Sequence, residues 1–179
     1  MKINSQHQLS AAQQVPSPFY NQRPGCEPSL LVIHCISLPE GQYNNGHIDA
    51  LFSGCLDCSL DASFADLAGL EVSAHLLITR EGELKQYVPF NLRAWHAGVS
   101  SFEGREACND YSIGIELEGT DSSEFTTEQY LSLQQVTKAL LAHYPQLSKQ
   151  RIVAHSEIAP GRKTDPGSGF DWDVYLNGL

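Results

Sequence analysis

The segment Leu30-Leu31-Val32-Ile33-His34-Cys35-Ile36 restricts the fold more than any other. It is short and almost wholly apolar, which reads as a strand buried on both faces rather than on one. A strand of that kind belongs in the interior of a sheet that is covered on both sides. Its one strongly polar side chain, His34, falls near the C-terminal end.

The rest of the chain supplies the covering elements. Ala74–Thr79 and Glu83–Val88 flank Arg80-Glu81-Gly82, the signature of a hairpin. Tyr111–Leu117 reads as another strand, with Glu116 near its end, and Ile152–His155 as a short one ending in His155. Thr126–His143 is the clearest helix. Thr126 with Gln129 fits a capping box, Tyr130, Leu133, Val136, Leu140 and Leu141 form an apolar stripe, and Pro145 stops the run. Ile48–Leu70 reads as helix interrupted by a loop over Ser53–Asp61, and a last helix starts near Asp171. Strands and helices interleaved in this order predict an α/β (α+β) fold, a single-domain mixed β-sheet flanked by helices. Residues 1–29 carry Pro16, Pro18, Pro24 and Pro28 and read as an extended lead-in packed on the domain formed by 30–179.

Composition removes several classes of function. The net charge is −10, and a field of that sign repels nucleic acid and anionic membrane surfaces. No stretch has the apolar length of a membrane span, and Met1–Pro18 is polar without the apolar core of a secretory signal. Five cysteines, an odd number, fit reduced thiols in the cytoplasm. Nothing calls for obligate association, so the expected state is a monomer.

Three polar residues end strands, His34, Glu116 and His155, and a loop with Lys163 and Asp165 follows the last of them. Strand ends and the loops after them are where open α/β sheets place their sites. Two imidazoles and a carboxylate make a divalent-metal set that suits Zn²⁺ and leaves a position for water. A carboxylate that is not a ligand can take the water's proton, and Glu116 is the candidate. A cation can face the oxyanion of an attacked carbonyl, and Lys163 is the candidate. Together these roles describe metal-assisted amide hydrolysis. The same residues also have a structural reading: histidines satisfied at strand ends, a solvated strand end at Glu116 and Glu118, and a surface pair at Lys163 and Asp165.

Longer motifs carry a family resemblance. His155-Ser-Glu-Ile-Ala-Pro-Gly-Arg-Lys-Thr-Asp165-Pro-Gly, Leu30-Leu-Val-Ile-His34, Arg93-Ala-Trp-His-Ala-Gly-Val-Ser and Cys108-Asn-Asp-Tyr-Ser-Ile-Gly-Ile-Glu-Leu-Glu-Gly-Thr closely resemble segments of the cytoplasmic AmpD amidases. These are zinc amidases related to peptidoglycan-recognition proteins. The likeness runs from about residue 15 to Trp172. It implies one zinc ion per chain on His34, His155 and Asp165, with Glu116 as proton acceptor and Lys163 as transition-state stabiliser. It implies a small-molecule substrate, a 1,6-anhydro-muramyl peptide, cut at the lactyl amide to L-alanine during peptidoglycan recycling, with an attendant restraint on β-lactamase induction. A lytic amidase of intact wall and a non-catalytic peptidoglycan-binding module are the alternatives. The module typically lacks a zinc ligand, and all three candidates stand here.

The same likeness makes Trp95 and His96 expected substrate-binding residues, and the net negative charge adds Arg105 to them. Trp95 offers a flat apolar face to a sugar or lactyl group, against the alternative of a core aromatic. His96 reads as a groove residue by that likeness, and otherwise as a partner behind a ligand or a histidine merely satisfied in a loop. Arg105 is the expected cation for the peptide's carboxylates, with an ordinary surface arginine as the alternative. Cys35, directly after His34, is expected to point away from the metal because strand neighbours face opposite sides. Cys55 and Cys58 have a redox-pair spacing but lie in a loop, and two reduced thiols are expected.

Overall fold

A computed structural model describes residues 1–179. In chain order the strands are β1 (Gln13–Gln14), β2 (Tyr20–Gln22), β3 (Leu30–Ile36), β4 (Leu76–Ile78), β5 (Leu84–Gln86), β6 (Leu92–Ala94), β7 (Ser101–Phe102), β8 (Arg105–Glu106), β9 (Ser112–Glu118) and β10 (Ile152–Ala154). The helices are α1 (His47–Phe52), α2 (Thr127–His143), α3 (His155–Ile158) and α4 (Trp172–Asn177). Six strands form one mixed sheet in the order β1-β5-β4-β9-β3-β10. β4, β9, β3 and β10 run parallel, β5 returns antiparallel to β4, and β1 lies parallel to β5.

The apolar run is the centre of this sheet. β3 lies between β9 and β10, and Leu30 to Ile33 are each at most 1% exposed. Alternation sends Leu31 and Ile33 to one face, where they join Ile113, Ile115 and Leu117 of β9 against Leu133, Val136 and Leu140 of α2. Leu30 and Val32 point to the other face, among Ala97, Tyr111, Val153 and Ile158. Covering both faces is what the sequence pattern demanded.

α2 begins as read. The Thr126 hydroxyl accepts from Gln129 N at 3.1 Å, and Gln129 Oε1 accepts from Thr126 N at 3.1 Å, the reciprocal bonds of a capping box. Gln129 is itself buried and donates to the Glu118 carbonyl at 2.9 Å, which ties the helix start to the end of β9. α4 is capped by Asp171, whose carboxylate accepts from Val174 N at 2.9 Å. The second half of the Ile48–Leu70 reading forms a 3₁₀ turn, Ala62–Leu67, in place of an α-helix. The segment after His155 is no plain loop either: His155 opens the single turn of α3.

The first 29 residues take part in the sheets. β1 extends the main sheet, β2 pairs antiparallel with β6, and Leu9 is 1% exposed within the largest apolar cluster. No helix is long and apolar enough to cross a membrane.

Candidate metal centre

The parallel register brings distant residues together. Val153 pairs with Val32 and Ala154 with Ile33, so His155, the next residue, emerges beside His34. Asp165 returns from the loop after α3, and its carbonyl accepts from Ser156 N at 3.1 Å. Three atoms then converge. His34 Nδ1 lies 3.0 Å from His155 Nδ1, and each lies 3.0 Å from Asp165 Oδ2. Both histidines are almost fully buried. Bonds of about 2 Å at tetrahedral angles put ligand atoms roughly 3.3 Å apart, close to this triangle.

The outer nitrogens say what the inner ones offer. His155 Nε2 lies 3.2 Å from the Ala97 carbonyl, an acceptor, so Nε2 carries the proton and Nδ1 presents a lone pair. His34 Nε2 lies 2.9 Å from His96 Nδ1, and His96 Nε2 lies 3.1 Å from Ser112 Oγ. Proton donation from His34 to His96 to Ser112 leaves the His34 Nδ1 lone pair facing inward as well. Burial lowers the His34 pKa to about 4, against the pull of Asp165, so this imidazole is neutral near pH 7. Burial opposes the charge on Asp165, yet bonds to His155 and His34 keep its carboxyl well below the usual range. Two lone pairs and a carboxylate oxygen aimed at one buried point form an arrangement that a cation satisfies. The donor set of two imidazoles and one carboxylate suits zinc.

Glu116 stands beside His34, paired with it in register across β9 and β3. It is 8% exposed, and its Oε2 has no hydrogen-bond partner. Burial pushes its carboxyl well above the usual carboxylate range. The charge of Asp165 adds to the shift and that of Lys163 opposes it. A cavity of about 230 Å³ joins these groups. Its lining combines the polar His34, His96, Glu116, His155, Lys163 and Asp165 with the apolar Leu51, Phe52, Leu70, Val72 and Trp95. The solvated-end reading of Glu116 and Glu118 therefore fails. Glu118 is 3% exposed, and its two carboxylate oxygens accept from Asn44 N at 2.7 Å and Arg80 N at 3.1 Å.

Trp95 reaches the cavity, as expected of a substrate-facing aromatic. His96 lines the same cavity, and its ring also backs His34, the supporting role the sequence had offered. Both its ring nitrogens are engaged within the protein, at His34 and Ser112, so neither is free for a substrate. Arg105 is not brought into this cavity. It sits on the exposed β7–β8 hairpin with its guanidinium 3.9 Å over the Tyr111 ring, outside the cavity lining. Cys35 donates its thiol to Asp121 Oδ1 at 3.3 Å and lies outside the His34–His155–Asp165 group. Asp121 also accepts from Thr164 Oγ1, so it ties the neighbour of one ligand to the neighbour of another. The five cysteines, Cys55 and Cys58 included, are free.

Sequence reading missed Ser112 and Gly114. The glycine carried a signal, because a glycine inside a strand marks close approach. A Cβ built at Gly114 would lie 2.4 Å from His96 Nδ1. Gly114→Ala is expected to push His96 off His34 and destabilise the fold by about 1–3 kcal/mol, read as a lowered melting temperature. An unchanged melting curve would mean the ring has room to move.

Known proteins resemble the chain in both sequence and fold. The model of the N-acetylmuramoyl-L-alanine amidase family matches residues 24–168. A 1,6-anhydro-N-acetylmuramyl-L-alanine amidase AmpD of Citrobacter freundii is 57% identical over 165 residues, 92% of this chain and 88% of that protein. The AmpD of Haemophilus influenzae is 51% identical over 172 residues, 96% of this chain and 94% of that one. The crystal structure of a selenomethionine AmpD derivative superposes with a TM-score of 0.97 at 52% identity, over 100% of this chain and 99% of that one. The amidase AmiD of Escherichia coli, in complex with anhydro-N-acetylmuramic acid-L-Ala-D-γ-Glu-L-Lys, gives a TM-score of 0.60 at 30% identity, over 96% of this chain and 60% of the longer AmiD chain. The mixed sheet, the two buried histidines and the near-complete coverage by these relatives place the chain in the N-acetylmuramoyl-L-alanine amidase family, among the AmpD amidases.

Proposed function

We propose that the chain hydrolyses the lactyl amide between 1,6-anhydro-N-acetylmuramic acid and the L-alanine of a muropeptide, with one zinc ion held by His34, His155 and Asp165. The observation that carries this is the 3.0 Å triangle of Nδ1, Nδ1 and Oδ2 with the partnerless Glu116 carboxylate in the same cavity. When bound, zinc supplies a Lewis acid that lets water ionise near pH ~7 and polarises the scissile carbonyl. Glu116 accepts the proton of the attacking water and delivers it to the departing alanine nitrogen. Lys163, exposed on the ligand loop and reaching the same cavity, sets its ammonium against the charge that develops on the carbonyl oxygen. Trp95 and the other apolar lining residues receive the sugar and lactyl carbons and exclude water from them.

The AmpD relatives and the muropeptide bound to AmiD support this choice of substrate. By the same likeness we assign the chain to the cytoplasm, as a monomer that recycles peptidoglycan fragments and lowers the muropeptides that induce β-lactamase. The test is hydrolysis of 1,6-anhydro-muramyl tripeptide, with and without a chelator, beside intact peptidoglycan. Release of peptide from the soluble substrate alone, abolished by the chelator and restored by zinc, is expected. Cleavage of the intact wall would move the chain to the lytic amidases. Chelator-resistant cleavage would remove the metal from the mechanism.

A further inference from the structure

One two-residue segment serves both candidate ligand histidines. His96 places its Nδ1 2.9 Å from His34 Nε2, and Ala97 places its carbonyl 3.2 Å from His155 Nε2. The backbone N–H groups of these same two residues donate to a single atom. His96 N lies 3.1 Å and Ala97 N 2.8 Å from Asn109 Oδ1. No other side-chain acceptor serves either N–H.

The residue that holds the segment is itself held. Asn109 lies in the 3₁₀ turn Cys108–Asp110, just before β9. The half-buried Arg23 donates from Nη1 to the Asn109 carbonyl at 3.1 Å and the Asp110 carbonyl at 3.0 Å. Arg93 pairs with the Asp110 carboxylate at 2.5 Å. Arg162 of the loop that carries Asp165 donates to the Ala97 carbonyl at 2.7 Å. Directly beyond, Gly98 turns the chain at a φ of +56°, a conformation that suits glycine.

We infer that Asn109 is a positioning residue for the metal centre: its amide oxygen fixes His96-Ala97, and through them the tautomer and ring orientation of both His34 and His155. The inference rests on the zinc reading above. Its physical basis is that an imidazole whose outer N–H is bonded presents its inner lone pair in one direction, whereas an unbonded ring must be ordered when the metal binds. Outer partners of this kind are worth about 10–100-fold in metal affinity. Asn109 touches neither a ligand ring nor the cavity, so a loss of affinity on its substitution travels through the segment.

The test compares Asn109→Leu, similar in volume but without the acceptor, with Asn109→Asp, which keeps an acceptor oxygen. Zinc affinity is measured on the full chain by competition with a chromophoric chelator, and the visible spectrum of the cobalt-substituted protein reports ligand geometry. Asn109→Leu is expected to bind zinc about 10–100-fold more weakly with an altered cobalt spectrum, and Asn109→Asp to stay near wild type in both. Wild-type affinity and spectrum in Asn109→Leu would overturn the inference. Should Asn109→Leu fail to fold, the zinc-loaded wild type decides by NMR. Imidazole Nε2–H protons of His34 and His155 protected from exchange support the arrangement, and rapid exchange of either overturns it. A wild type that binds no zinc at all would instead sink the zinc reading itself.

Discussion

Asp165→Ala protein is expected to fold, to purify with far less than one zinc per chain, and to have lost amidase turnover to background. The carboxylate supplies the only formal charge in the triangle, and its Oδ2 is equidistant, at 3.0 Å, from the two imidazole nitrogens. Without it, two neutral lone pairs remain, and three protein donors fall to two. The fold has little reason to fail. Asp165 sits on a loop, and its backbone bond from Ser156 N does not depend on the side chain. Stability offers a second reading. A ligand at ~1,000 times its Kd stabilises the folded state by about 4 kcal/mol, so zinc should raise the melting temperature of the wild type and leave that of Asp165→Ala nearly unmoved. His34→Ala should behave alike. Stoichiometric zinc in folded Asp165→Ala would strike Asp165 from the ligand set, whatever its activity.

The sequence made the frame legible because its signals were local. Leu30–Ile36 could be buried only between covered faces, and Thr126 with Gln129 marked the start of α2 through two bonds that reach three residues. Strand ends as the place for chemistry also followed from pattern alone. Convergence of the ligands was not local. It depends on β3 pairing with β10 so that Ala154 lies beside Ile33, and no short motif encodes that register. The placement of Arg105 has the same origin. Arg105 was expected to face a substrate on grounds of charge, but Tyr111 offers its ring 3.9 Å away and the hairpin carries the guanidinium from the cavity. The supporting reading of His96 likewise became decidable only with the fold, because Gly114 on β9 leaves room for the ring against His34. The side chains of β9 on that face, Ser112, Gly114, Glu116 and Glu118, are all polar or absent in an otherwise apolar strand. That row was visible in the sequence as alternation, and its meaning appears only when the neighbouring strands are known.

Glu116→Gln is expected to bind zinc as the wild type does, and to lose roughly 10²–10⁴ of turnover, the usual worth of a positioned proton acceptor. Shape is conserved and charge is not, so the change removes the proton acceptor while leaving the cavity intact. The structure makes the stability effect of this substitution unusual. Most buried carboxylates are bound into networks, and removing them leaves partners stranded. Glu116 Oε2 has no partner, and its carboxyl is pushed upward by burial and by the charge on Asp165. Replacing it strands nothing and relieves a buried group that is costly to ionise. The melting temperature should therefore stay level or rise while activity falls, the pattern of a residue kept for chemistry at some expense in stability. Zinc content, melting temperature and turnover of the one variant separate the roles. A fall in zinc content would make Glu116 a support of the metal, and turnover within a few-fold of wild type would assign the proton to another group in the cavity.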